Sequence, residues 1–216
     1  MPLQDPERAA ALVPRIASDY HLSGIEIGSN INGVMLGDPS FDPFYAAVEE
    51  AGIAIFVHAL HPVASKPIAA TPAFTSFALF PVEVGMAAAA LIVAGTLDRF
   101  PRLRIGFSHG GGALGSILGR LDTGWEATGG YGSPDARKPS DLARTMFFDS
   151  NVYDPAYLRH ITQTLSPGRI FVGTDYPYVI MQKDPGAFVQ AAGLDQALAS
   201  AIRREAAELF LGERLP

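Results

Sequence analysis

The stretch Gly106–Arg120, GFSHGGGALGSILGR, joins an apolar run to a helical pattern, and the interpretation of the whole chain depends on it. Four kinds of site fit its letters. Gly106–Gly110 matches the G-x-S-x-G turn of an esterase nucleophile, and His109–Gly112 matches the HGGG element that binds an oxyanion. The spaced glycines also match the G-x-G-x-x-G turn of dinucleotide-binding proteins. In the fourth interpretation, His109 is the histidine of a metal enzyme at the end of a barrel strand.

Length and composition set the class of protein. The 216 residues suffice for one domain, residues 1–216, with a sizeable core. A net charge of −6 and a pI near 5.3 argue against a nucleic-acid surface. The longest uncharged helical pattern, Val84–Leu97, is too short to cross a bilayer, and the chain shows no secretory start. We therefore expect a cytoplasmic protein without a nucleic-acid or membrane partner.

The absence of cysteine narrows the chemistry further. Without cysteine the chain has no disulfide, no thiolate zinc site and no cysteine nucleophile. A metal ion must therefore be held by histidine and carboxylate side chains.

Apolar, β-branched runs alternate along the chain with helical patterns. Continuous apolar strands separated by helices are typical of a parallel sheet covered by helices. The predicted strands are 24–28, 53–59, 104–110, 145–151 and 169–175. The predicted helices lie near 5–19, 43–51, 83–99, 113–126, 155–165 and 195–210.

The last four predicted strands are apolar until their carboxyl ends, where a histidine or an aspartate appears. These residues are His58, His109, Asp149 and Asp175. A closed (β/α) barrel carries its chemistry at this rim, on residues from several strands. The pattern therefore predicts a barrel rim with a polar centre. Asp149 either orients a metal ligand from behind or is a buried acid satisfied by backbone groups.

His58 and Asp175 are the candidate metal ligands, because their side chains can converge on one barrel axis. Neutral imidazole plus carboxylate suits Zn²⁺, and also Mn²⁺ or Fe²⁺. Such an ion polarises a substrate oxygen or activates a bound water. His109, on the strand between the two ligands, is placed to transfer a proton.

The number of strands is smaller than the predicted fold requires. An eight-stranded barrel needs eight β/α units, whereas this sequence supplies five. We expect about three amino-terminal units to be absent, so that residues 1–216 form a partial (β/α)8 TIM barrel.

Several motifs then carry a resemblance to a known family. FVHALHP, FPRLRIGFSHGGG, GRLD and RIFVGTDYPY stand in this order in the chain. They resemble the amidohydrolase-related family (amidohydrolase 2), which includes enzymes like aminocarboxymuconate-semialdehyde decarboxylase. The resemblance implies a metal-dependent (β/α)8 barrel, commonly with zinc. It also implies that His58 and Asp175 bind the metal and that His109 is a general acid/base.

The resemblance extends to Arg120. Arg120 stands where the decarboxylases place an arginine that binds the substrate carboxylate, often across a dimer interface. The alternative is a surface arginine on a helix. By this resemblance we expect a homo-oligomer, most simply a dimer.

The sequence departs from the family pattern in two places. The family begins with an H-x-H pair that supplies two more metal ligands, and this chain has none; we expect the pair in the absent segment. His61, three residues after His58, is a poor replacement. Leu60 replaces an aromatic residue that the decarboxylases typically carry, which weakens the assignment of a particular substrate.

Three functions remain open. The first is non-oxidative decarboxylation of a small aromatic or unsaturated carboxylic acid. The second is metal-dependent hydrolysis of an amide, ester or lactone, and the third is an inactive fragment with a structural or interaction role. A nucleotide-binding oxidoreductase is a weaker alternative. The apolar loop Pro62–Pro81 is expected to act as a substrate lid or an oligomer contact.

Overall fold

A computed structural model describes residues 1–213. Within this part of the chain, helices and strands alternate as the sequence predicts. The strands are β1 Gly24–Gly28, β2 Asn30–Ile31, β3 Val34–Met35, β4 Ala54–His58, β5 Arg104–Phe107, β6 Phe147–Asp149 and β7 Ile170–Phe171.

The helices include two short 3₁₀ turns, Pro39–Phe41 and His109–Gly111, and two π-helical segments, Thr75–Leu79 and Ala201–Glu205. Three of the longer helices begin with an aspartate cap followed by proline, a favourable helix start. The α-helices are α1 Pro6–Ser18, α2 Asp42–Ala51, α3 Pro72–Phe74, α4 Phe80–Val93, α5 Thr96–Arg99, α6 Leu114–Thr128, α7 Pro139–Ala143, α8 Pro155–Thr164, α9 Pro185–Ala191, α10 Gln196–Ser200 and α11 Ala206–Leu211.

Five strands form one parallel sheet in the order β1-β4-β5-β6-β7, while β2 and β3 form a separate antiparallel pair. Each crossover in the sheet reaches the next strand along, so all five carboxyl ends lie at the same edge. The parallel sheet is therefore confirmed. Within residues 1–213, β1 and β7 are both edge strands, and the sheet is not closed into a barrel.

The two faces of the sheet are covered by different parts of the chain. Successive side chains of a strand point to opposite faces. Ile55 and Val57 of β4 belong to the main core with the helices, whereas Ala54 packs on the other face with Phe147 and Phe210. Phe210 comes from α11, so this helix covers the face of the sheet that lies opposite to the main core.

Two strands end earlier than the sequence predicts. The predicted strand 104–110 ends at Phe107, because the backbone turns left-handed at His109 with φ of 56° and at Gly110 with φ of 61°. The predicted strand 169–175 is reduced to Ile170–Phe171. Both candidate site residues, His109 and Asp175, consequently lie just beyond their strands rather than in them.

The segment Pro62–Pro81 is not a loop throughout, because helical structure begins at Pro72 and continues through α4. The resulting helix, Pro72–Val93, has 22 residues and is long and apolar enough to cross a membrane by length and composition. The prediction that no helix reaches this length is wrong. A core helix passes the same test, and here 39% of the most apolar window is buried inside the protein.

Candidate metal and active site

His58 is the last residue of β4. Its imidazole reaches the carboxylate of Asp175, which follows β7 at the same edge of the sheet. Nε2 lies 3.1 Å from Asp175 Oδ1, and Nδ1 lies 3.1 Å from the carbonyl oxygen of Ala59. When Nδ1–H donates to this carbonyl, Nε2 presents its lone pair to the carboxylate. Two electron-rich atoms that face each other at this distance suit a cation held between the two side chains.

His109 completes the cluster from the turn after β5. Its Nε2 lies 4.0 Å from Asp175 Oδ1, and its ring centroid lies 5.0 Å from that of His58. The ligand atoms of His58, His109 and Asp175 all lie within 4.8 Å of one another. The structure therefore brings together the three residues that the sequence singles out at separate strand ends.

Burial determines the charge of His109. Loss of solvent, together with the neighbouring His58, lowers the pKa of its imidazole to about 4, whereas Asp175 opposes the shift. His109 is therefore neutral at physiological pH. A neutral imidazole has one nitrogen that donates and one that accepts, which suits proton transfer.

Asp149 lies behind this cluster and holds the His109 turn. Its Oδ1 accepts hydrogen bonds from the backbone N–H of Gly110 at 2.8 Å and of Asn151 at 3.0 Å. Burial raises the pKa of Asp149 to about 6, opposed by these backbone hydrogen bonds. Of the two predicted roles, the buried acid satisfied by backbone groups is the one observed.

The glycines after His109 are explained by packing. At Gly112, with φ of 53°, a Cβ atom would lie 1.8 Å from the carbonyl oxygen of Pro81. The turn thus approaches the start of α4 too closely for any side chain. Ser108 is 1% exposed, so its Oγ, which lies 3.5 Å from His109 Nδ1, is not accessible to a substrate. The nucleophile interpretation therefore gains no support from this geometry.

A cavity of about 520 Å³ opens over the three-residue cluster. Apolar and aromatic side chains form most of its wall, including Phe77, Phe80, Val152, Tyr157 and Ile180. This size is typical of small-molecule sites. Phe77 and Phe80 come from the segment predicted as a lid or oligomer contact, so that segment forms a wall of the site.

Glu83 fixes the chain that follows β4. Its buried carboxylate accepts hydrogen bonds from Ser29 Oγ at 2.6 Å, from Asn30 Nδ2 at 2.7 Å and from the backbone N–H of Val63. These bonds connect the start of α4 to the end of β1 and to the segment after His58. His61 lies in that segment, outside the three-residue cluster.

Sequence reasoning missed three polar or aromatic residues of the site. Tyr153 Oη accepts a hydrogen bond from Asn151 Nδ2 at 3.0 Å and lies 3.5 Å from Asp175 Oδ2. The ring of Tyr178 lies nearly parallel to that of His58, with centroids 6.4 Å apart. Asn151 is the last residue of a predicted strand, and Tyr153 and Tyr178 follow predicted strand ends, which is the one signal in the sequence that points to them.

Arg120 lies outside this cavity. It is exposed on α6 and is not among the residues that form the cavity wall in residues 1–213. Its predicted role in binding a carboxylate therefore stays a prediction that involves a second subunit.

Comparison with known proteins agrees with this arrangement. The chain is 29% identical over 199 residues to 2-amino-3-carboxymuconate-6-semialdehyde decarboxylase of Dictyostelium discoideum, which covers 88% of this chain and 53% of that protein. The crystal structure of 5-carboxyvanillate decarboxylase from Sphingomonas paucimobilis is 29% identical with a TM-score of 0.85, and the match covers 97% of this chain and 64% of that one.

A second solved structure carries a metal and an aromatic acid. It is 5-carboxyvanillate decarboxylase from Novosphingobium aromaticivorans, complexed with manganese and 4-hydroxy-3-methoxy-5-nitrobenzoic acid. It is 26% identical with a TM-score of 0.80, and the match covers 97% of this chain and 62% of that one. The present chain spans about half the length of the curated relatives it matches. Residues 1–212 match the amidohydrolase family (Amidohydro_2), and the chain belongs to that family.

Proposed function

We propose that this protein is a metal-dependent decarboxylase that removes CO₂ from a small aromatic or unsaturated carboxylic acid without oxidation. The observation that carries the proposal is the convergence of His58, His109 and Asp175 beneath a cavity with aromatic walls. The named activities of the relatives, all decarboxylases of carboxylic acids, support the choice of reaction.

The donor set fits a divalent cation. His58 and Asp175 would hold the ion, with zinc as the first candidate and manganese or iron as alternatives. Manganese in the Novosphingobium enzyme makes that ion a direct comparison. When bound, the ion supplies a Lewis acid that polarises a substrate oxygen.

His109 supplies the proton that the reaction requires. Loss of CO₂ breaks a carbon–carbon bond and leaves its electron pair on the substrate carbon, which must then take up one proton. The neutral imidazole of His109 has one nitrogen that accepts a proton and one that donates a proton, so it can relay this proton to the carbon. The apolar wall limits water at the same carbon, so the proton comes from the positioned side chain.

We also propose the quaternary arrangement and the complete architecture that the resemblance implies. The five-stranded sheet would correspond to part of a (β/α)8 barrel of the metal-dependent hydrolase type. Arg120 would bind the substrate carboxylate in a partner subunit of a homodimer, bidentately through its guanidinium. Its exposure on α6 leaves the guanidinium accessible for such a contact.

The proposal is tested by following both possible products with the full-length protein. A panel of hydroxybenzoic acids is assayed for CO₂ release, and matched methyl esters and amides are assayed for hydrolysis. We expect CO₂ release that chelation abolishes and Zn²⁺ or Mn²⁺ restores. Hydrolysis without CO₂ release would replace the decarboxylase with a hydrolase, and absence of both reactions in the metal-loaded protein would favour a non-enzymatic role.

A further inference from the structure

The hydroxyl of Tyr153 lies beside the three-residue cluster and donates only one long hydrogen bond, to Asp175. Its oxygen already accepts a hydrogen bond from Asn151 Nδ2 at 3.0 Å. Its proton is donated to Asp175 Oδ2 at 3.5 Å, a distance longer than the usual range of about 2.5–3.0 Å for a hydroxyl donor, so a closer acceptor can replace this bond. Tyr153 also forms part of the cavity wall. The cavity is therefore offered a donor whose acceptor side is occupied.

Asn151 fixes the direction of this hydroxyl. The residue is 2% exposed, and its backbone N–H is bound to Asp149 Oδ1 at 3.0 Å. Its own Oδ1 is buried and has no hydrogen-bond partner within residues 1–213. Leaving an acceptor buried and unpaired costs about 1–3 kcal/mol. The amide is thus held in an orientation that satisfies Tyr153 at the expense of its own oxygen.

Tyr157 provides an internal comparison. It lines the same cavity, but its hydroxyl donates to the backbone carbonyl of Gly112 at 3.2 Å. Of these two cavity tyrosines, Tyr153 has the longer donor hydrogen bond and is therefore the one that can turn its proton to a ligand. A ligand atom that pairs with it must be an acceptor, and an anionic oxygen is the strongest acceptor for a phenolic donor.

We propose that Tyr153 donates a hydrogen bond to an anionic oxygen of the substrate at the His58–His109–Asp175 cluster, and that Asn151 is the positioning residue that aims it. This inference rests on the proposed function, because it assigns a role within the same site. It adds a substrate-contacting residue to the three that the sequence analysis singles out.

The test compares a carboxylate with its uncharged ester in the metal-loaded protein. Binding of benzoate and of methyl benzoate is measured by calorimetry for wild type, Tyr153→Phe and the control Tyr131→Phe, whose hydroxyl donates to the carbonyl of Leu121 away from the cavity. Loss of one hydrogen bond to a charged group corresponds to a Kd for benzoate that rises about 10- to 100-fold in Tyr153→Phe. We expect less than about a three-fold change for methyl benzoate in this variant and for either ligand in Tyr131→Phe.

Asn151→Leu and the double variant test the positioning role. We expect Asn151→Leu to weaken benzoate binding only while Tyr153 is present, so the double variant binds like Tyr153→Phe. Metal content, measured alongside, should stay at the wild-type level in each variant. Equal benzoate binding in wild type and Tyr153→Phe, or loss of metal in Tyr153→Phe, would overturn the inference.

The same experiment separates this inference from the proposed function. If wild type releases CO₂ from hydroxybenzoic acids but Tyr153→Phe binds benzoate normally, the role of Tyr153 is wrong and the decarboxylase stands. If wild type releases no CO₂ from any acid and binds no benzoate, the proposed function and the role of Tyr153 fail together.

Discussion

Two buried ionisable side chains, His109 and Asp149, meet at the turn after β5 and respond to acid in opposite ways. Folding lowers the pKa of His109 from 6.5 to about 4, so its contribution to stability is present above pH 6.5 and is lost as the pH falls. Folding raises the pKa of Asp149 from 3.8 to about 6, so its contribution is present below pH 3.8 and is lost as the pH rises through 6. Between these limits the two effects oppose each other.

Single substitutions should expose the two opposing effects. In metal-free protein, Asp149→Asn keeps the acceptor for the backbone N–H groups and removes the pH dependence that comes from Asp149. The effect of His109 then remains unopposed, so the thermal unfolding midpoint should fall by several degrees between pH 6.5 and 4. His109→Gln leaves the effect of Asp149 unopposed, so acidification from pH 6 to 4 should raise the thermal unfolding midpoint of this variant. Thermal unfolding monitored by circular dichroism checks both variants. Slopes of the same sign in the two variants would contradict this account.

The three clustered residues should separate into ligands and proton donor. Removal of a residue that only supports a metal ligand typically lowers metal affinity by about 10-fold or more. Because His58 and Asp175 would bind the metal directly, His58→Ala and Asp175→Ala should each lower metal affinity by more than about 10-fold. His109→Ala should keep its metal and lose CO₂ release. Elemental analysis of dialysed protein measures the metal, with His160→Gln, an exposed position of α8, as the control. Full metal content in His58→Ala would remove His58 from the ligand set.

At the scale of elements, the turn after β5 and the start of α4 are built around a contact that excludes side chains. Gly112 approaches the carbonyl oxygen of Pro81, and Gly85 of α4 approaches Ala113 and Leu114 closely enough that a Cβ would lie 2.7 Å from their backbone nitrogens. The wall of the cavity and the turn that carries His109 are thereby joined without a gap.

Gly112→Ala should destabilise the fold by at least about 2 kcal/mol, because a strained backbone conformation and a backbone clash add together. The control is Gly129→Ala at the end of α6. Gly129 has a similar φ of 64° but no neighbouring atom within 4 Å of the added carbon. It should cost only about 1 kcal/mol. Urea unfolding of both variants measures the difference, and equal losses would show that the Pro81 contact is unimportant.

The sequence predicts elements well where local pattern and packing agree. Strand β1 has the predicted bounds Gly24–Gly28 because its apolar run ends where the backbone leaves the sheet. The predicted strand 104–110 continues past Phe107, whereas its backbone turns left-handed at His109, and the sequence alone does not reveal where that turn begins. The helix that begins at Pro72 is hidden because Phe74 is exposed while Phe77 and Phe80 line a cavity, so its apolar residues do not mark one core-facing stripe.

The same contrast applies to the site. His58, His109 and Asp175 are predictable because parallel strands bring their carboxyl ends to one edge. Tyr153 and Asn151 are not, because their importance comes from hydrogen bonds between side chains that only the folded chain brings into register.

At the scale of the whole molecule, the edges of the sheet are the exposed feature. Within residues 1–213, β1 and β7 each have one unpaired side, and unpaired strand edges favour association. The long helix adds exposed apolar side chains, among them Phe74, Val82, Met86 and Val93. The molecule therefore has two reasons to self-associate.

We expect residues 1–216 to form a dimer or larger assembly, or to unfold at low denaturant, when expressed alone. Analytical ultracentrifugation across a dilution series measures the mass, and metal content should fall below one ion per chain. Met86→Lys, at an exposed helix position, should shift the distribution towards smaller species, while Glu7→Lys on α1 serves as a charge control. A stable monomer with one tightly bound ion per chain would contradict this expectation.

The 520 Å³ cavity is formed by two kinds of structure, the ends of strands and segments outside the sheet. The ionisable groups stand at the ends of neighbouring strands, whereas Phe77, Phe80, Val179 and Ile180 belong to segments outside the sheet. Mutations in those outer segments can therefore reshape the range of acceptable ring substituents while the reacting groups keep their spacing. Such an arrangement allows selectivity for new compounds to evolve through substitutions in the outer segments. The ionisable groups at the strand ends, and the chemistry they support, can meanwhile stay unchanged.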